Sequence, residues 1–138
     1  MAVAAAEDRN NPSFSTCVAK VTVDETSAPL LVDKLSLVID LGLVVNPDGA
    51  KAQIEGSILW GLSNCLYETL SLENGAFRET NFDSYRWQNI VGIPEIDITI
   101  LENGDHPSGA VEPATSVIAL PFVVQYLMRV EPEYVHYP

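Results

Sequence analysis

The chain reads as an α+β domain, a mixed sheet with hairpins packed against two main helices. Three observations predict this. Short apolar segments that alternate every second residue, each bounded by turn residues, have the pattern of half-buried strands. Residues 48–67 instead place Ile54, Ile58, Leu62 and Leu66 one helical turn apart, the stripe of an amphipathic helix. Asn74-Gly75 lies between two short extended segments and is a strong hairpin signal, because both residue types tolerate positive φ.

Taken in order, residues 1–12 read as a mobile leader, Ala-rich at first, polar from Glu7 to Asn11 and closed by Pro12. Phe14 to Asp24 is a strand with Cys17, Ala19, Val21 and Val23 on one face, and Leu30 to Leu41 a second, more buried strand. A turn over Glu25 to Pro29 makes them a hairpin. The helix from Asp48 to about Tyr67 follows, with Asn46 as its N-cap and Pro47 at the first helical position, where a missing N–H costs nothing. Leu70 to Glu73 and Ala76 to Asn81 form the second hairpin, and Ile96 to Leu101 another strand. An apolar segment from Pro113 to Val130 predicts a second helix, kinked or preceded by a turn at Pro121. The whole is one domain, residues 1–138, with a core over 13–130 and an extended tail over 131–138.

A net charge of −12 argues against nucleic acid as a partner, since phosphate binding needs an excess of Lys and Arg. It is the charge of a solvated surface or of one that meets a basic partner. Two distant cysteines, Cys17 and Cys65, make neither a disulfide framework nor a metal motif, and read as buried free thiols. His106 and His136 have no second ligand at metal-binding spacing and read as surface or packing residues. No apolar run approaches the roughly 20 residues of a membrane span. The expectation is a soluble chain, cytoplasmic, or periplasmic if exported with a signal-bearing partner.

Two places carry chemistry. Glu112 precedes Pro113, which can seed a helical turn and so put the carboxylate at a positive dipole end. Its plainest role is a cap; its sharper one is a general base. Gln53, Gly56 and Trp60 share one helix face, and Gly56 and Gly61 each cost the helix about 1 kcal/mol relative to alanine. Such glycines serve close packing or the close approach of a ligand.

The string Asp40-x-Gly42-x-x-x-Asn46-Pro47, then Gln53-x-Glu55-Gly56, is followed in order by Asn81-Phe82-Asp83-Ser84-Tyr85 and Pro107-Ser108-Gly109-Ala110-Val111-Glu112-Pro113. Together these motifs resemble the C-terminal portion of the large, molybdopterin-binding subunit of the xanthine oxidase family of molybdenum hydroxylases. The likeness is greatest to the bacterial aldehyde dehydrogenase and isoquinoline oxidoreductase-like branch, and runs from about Phe14 to about Val130. It implies that Glu112 is the catalytic general base and that Gln53, Gly56 and Gly109 face the cofactor. That cofactor is molybdopterin, unmodified or in its cytosine dinucleotide form, whose own sulfurs hold the molybdenum. The resemblance further implies a split active site shared with a larger molybdopterin-binding chain. It also implies an iron–sulfur subunit with its cluster, then a flavin or cytochrome subunit. The reaction would hydroxylate an aldehyde or N-heterocycle with oxygen from water. A non-catalytic assembly subunit is the alternative, on the evidence of Val111, where the family usually has glycine, and of the missing remainder of the site; Ala114 stands where glycine is also common.

Overall fold

The computed structural model describes residues 2–8, 11–23, 30–104 and 106–118, with side chains over 13–22, 30–104 and 106–118. Its elements are β1 (Ala2–Asp8), β2 (Asn11–Val23), β3 (Leu30–Asp40), α1 (Pro47–Leu66), β4 (Leu72–Glu73), β5 (Ala76–Phe77) and β6 (Glu95–Leu101). A second helix, α2, is described over residues 111–118. Four strands form a mixed sheet in the order β1-β2-β3-β6, antiparallel except for the parallel pair β3 and β6.

The pairing register explains the core. Rows of residues on one sheet face run Ser15–Ile39–Ile100, Cys17–Leu37–Ile98 and Ala19–Leu35–Ile96. The β3 and β6 members are large and branched, while those on β2 are small. Ile54, Ile58 and Leu62 of α1 are fully buried in the same cluster as Leu35, Leu37 and Ile39, as the helical stripe predicts. Each such side chain contributes about 1.5–3 kcal/mol by leaving water. Ala114, Val117 and Ile118 of α2 complete the cluster. The small residues of β2 let α2 approach closely, and the buried Ser15 hydroxyl donates to the Pro113 carbonyl at 2.8 Å. Both helices therefore cover one face of the sheet.

Three expectations change. Residues 2–8 are not a leader but strand β1, paired antiparallel to β2 from Ala2↔Cys17 to Asp8↔Asn11. Alanine is a weak strand former, so this run gives little local signal, and the long partner strand supplies the ladder. The β4–β5 hairpin is two residues per strand, its turn set by Asn74 and Gly75 at φ 51° and 82°. Beyond Phe77 the Arg78 N–H still donates to Ser71 O at 3.0 Å, but the Ser71 N–H donates to the Glu79 carboxylate at 2.7 Å, which ends the ladder and holds the Glu79 pKa below the ordinary value. Cys65 is exposed, because it falls in the last turn of α1 off the inward stripe; Cys17 is buried, and burial pushes its thiol up to about 11. The Pro121 kink and the tail over 131–138 lie outside the described residues.

Candidate functional site

β3 and β6 run in the same direction, and a helix follows each at its C-terminal end. The intervening loops are sewn together there. Leu41 N donates to Leu101 O at 3.1 Å, Ser108 N to Leu41 O at 2.9 Å and Leu43 N to His106 O at 3.0 Å. Gly42, at φ 65°, bridges to Pro107, and a Cβ at this position would collide with the His106 carbonyl oxygen. Asp40 accepts from the Gly42 N–H at 3.0 Å, and Asn46 caps α1 by accepting from Gly49 N at 3.0 Å. Asn46 thus has the capping role that its place before Pro47 predicts, and Asp40 and Gly42 shape the turn that leads to it. The outcome is that α1 and α2 both begin at one edge of the sheet. Their unpaired N–H groups give that edge a positive partial charge. Crevices at the carboxyl ends of parallel strands are common ligand positions in sheets of this kind.

Glu112 stands in the first turn of α2 with its side chain exposed. The neighbours that hold its backbone are fixed: Pro113 and Ala114 are fully buried, and the Pro113 carbonyl is tied to Ser15. A Cβ on Gly109 would lie 3.7 Å from Glu112 Oε2, so Gly109 and the carboxylate are neighbours. Val111 is helical rather than in a positive-φ conformation, and Ala114 fills core space. Neither departure from the family pattern distorts the turn.

Gln53 is exposed in the second turn of α1, on the same face as exposed Gly56 and Trp60. The two α1 glycines separate cleanly. A Cβ on Gly61 would meet the Thr115 carbonyl oxygen at 2.6 Å, so Gly61 exists for helix packing. A Cβ on Gly56 would meet nothing within 4 Å. Its cost to the helix has no explanation inside the described chain, and an open glycine beside an exposed amide fits a group that lies against this face.

Composition and spacing did not single out Ser57 and Thr115, which join the two helices. Ser57 Oγ donates to Gln53 O at 2.8 Å, and Thr115 Oγ1 lies 3.3 Å from Ser57 O and 2.9 Å from Val111 O. The turn bearing Gln53 is thereby connected to the turn bearing Glu112. The available signal was the pair of small residues Ser57 and Gly61, one turn apart on α1.

The Asn81–Tyr85 string forms a turn away from these loops. Asn81 O accepts from the Ser84 and Tyr85 N–H groups, Phe82 meets Trp87 edge to face at 5.1 Å, and the Tyr85 hydroxyl donates to Glu68 at 2.7 Å. That bond to a carboxylate raises the Tyr85 pKa. Among the described residues no three His, Cys, Asp or Glu side chains converge on a metal position, and no helix is long and apolar enough to cross a membrane.

Comparison with known proteins agrees with this architecture. The model of a molybdopterin cofactor-binding domain matches residues 2–94, a segment that ends before Glu112. The chain is 41% identical over 118 residues to a membrane-bound aldehyde dehydrogenase [pyrroloquinoline-quinone] of Gluconacetobacter polyoxogenes, covering 86% of this chain and 15% of that one. It is 30% identical over 95 residues to the isoquinoline 1-oxidoreductase subunit beta of Brevundimonas diminuta, covering 69% of this chain and 12% of that one. The crystal structure of quinoline 2-oxidoreductase from Pseudomonas putida 86 superposes with a TM-score of 0.69 at 23% identity, over 82% of this chain and 15% of that one, a likeness of fold. The chain thus spans about a seventh of the curated relatives' lengths. With its fold, its ordered motifs and its matched segment in agreement, the chain belongs to the molybdopterin cofactor-binding domain family, within the molybdopterin-binding subunits of the xanthine oxidase family.

Proposed function

We propose that this chain forms one wall of a molybdenum hydroxylase active site and supplies its general base, the larger molybdopterin-binding chain supplying the rest. The observation that carries this reading is the convergence of the Glu112 and Gln53 turns at one sheet edge, linked through Ser57 and Thr115. Molybdopterin, in its plain or cytosine dinucleotide form, would when bound carry the molybdenum that accepts the two electrons of the reaction. Gln53 would offer its amide to the pterin, while Gly56 and Gly109 would let it approach the backbone. Glu112 would take the proton from a water-derived oxygen nucleophile as that oxygen attacks the electron-poor carbon of an aldehyde or N-heterocycle. Electrons would leave through an iron–sulfur subunit and then a flavin or cytochrome subunit. The Gluconacetobacter relative is named for a quinone cofactor; we assign molybdopterin because the matched family model describes its binding domain.

The assembly-subunit reading draws on Val111 and Ala114. One substitution separates the two. Glu112→Gln preserves shape but cannot accept the proton, so turnover of the assembled enzyme should fall by about two orders of magnitude or more, with molybdenum content unchanged. Near-normal turnover at full molybdenum would leave Glu112 as a helix cap and favour the assembly role.

A further inference from the structure

The chain has two tryptophans, Trp60 and Trp87, and both line the same open groove. The groove has a volume of about 400 Å³, and Leu59, Ile90 and Ile93 supply most of its remaining apolar wall. Trp60 is 57% exposed and Ile90 85%, and Val91 beside it is 80% exposed. On its other side Trp87 helps line a second groove of about 350 Å³ with Phe82, itself 73% exposed. Between the two grooves lies Gln88, anchored by its N–H to Ser63 Oγ at 3.0 Å and by its Nε2 to Asn89 O at 2.9 Å. Its Oε1 is buried yet accepts no hydrogen bond among the described residues. A contiguous apolar face of this extent normally meets another protein, and a buried acceptor without a donor is costly until one arrives.

We propose that the Trp60–Trp87–Ile90–Ile93 face is where the companion part of the molybdopterin-binding subunit docks, an apolar segment filling the groove and an N–H donor meeting Gln88 Oε1. This rests on the shared-site reading above. The occupant follows from the relatives: their chains carry this domain as 12–15% of a longer polypeptide, so the same fold is accompanied there by a large remainder. The face also continues from α1, the helix that carries Gln53 and Gly56.

Because both tryptophans of this chain lie on this face, 5-hydroxytryptophan incorporated at these two positions, and excited at wavelengths where a partner's ordinary tryptophan does not absorb, reports its coverage. The full chain is mixed with the part of the Gluconacetobacter polyoxogenes aldehyde dehydrogenase outside the matched segment. Binding is followed by sedimentation and by acrylamide quenching of the 5-hydroxytryptophan emission. A complex should form, with blue-shifted emission and protection from quencher. Ile90→Asp should weaken it at least about tenfold, as expected for an anchor at the centre of an interface. Leu31→Asp, exposed on β3, should bind like the wild type. Both variants change exposed side chains, and circular dichroism checks that they remain folded. A complex that leaves the tryptophans quencher-accessible, or that tolerates Ile90→Asp, overturns this inference alone. Protection produced by self-association of the chain overturns it in favour of a second copy. No complex with any variant overturns the shared-site reading and this inference with it.

Discussion

At the residue scale, two glycines on one helix meet opposite surroundings. Gly61 faces the Thr115 backbone, whereas Gly56 faces open space. Gly61→Ala should gain about 1 kcal/mol of helix propensity, but its Cβ meets a carbonyl oxygen rather than a flexible side chain. The helices must therefore move apart, and overpacking of this kind typically costs about 1–3 kcal/mol. The net effect should be a destabilisation, measured as a lower denaturant midpoint with an unchanged slope. A stabilised variant would show that α1 and α2 are not in close contact. Sequence alone marked both glycines as expensive but could not separate them, because the distinction depends on where α2 passes. The same holds for Thr115, whose hydroxyl joins helices that lie 58 positions apart from it in sequence at Ser57.

At the element scale, whatever was specified by local chemistry was readable in advance. The Asp40-Gly42-Asn46-Pro47 connection, the Asn74-Gly75 turn and the alternation of β6 all depend on neighbours within a few residues. Strand β1 was not readable, since its order comes from pairing with β2 and not from its own alanines. The segment after the second hairpin is held partly by the Tyr85 hydroxyl on Glu68, which yields a pH-dependent prediction. The folded-state pKa of Tyr85 is raised above the ordinary value of about 10. The stabilisation is therefore fully present below about pH 10 and lost as pH rises through the raised value. The stability difference between the wild type and Tyr85→Phe should be constant near neutrality and shrink in alkali. A difference that grows with pH would contradict the assigned hydrogen bond.

At the scale of the whole molecule, the parallel pair β3 and β6 explains how remote segments reach one edge. Each strand delivers a helix, and the loops between strand and helix are bonded to one another, so Gln53 and Glu112 come to the same end without being near in sequence. The sheet supplies rigidity and the helix starts supply polarity, while Gly56 opens onto free space and the two tryptophans line an open apolar groove. The most direct test is molybdenum per copy of this chain in the native complex purified through it, for the wild type, Gly56→Leu and Lys51→Ala. The account predicts stoichiometric metal in the wild type and in Lys51→Ala, and a clear loss in Gly56→Leu, whose side chain would enter the cofactor space. A complete complex without molybdenum, or one in which Gly56→Leu retains it fully, would contradict the placement of the cofactor against this chain.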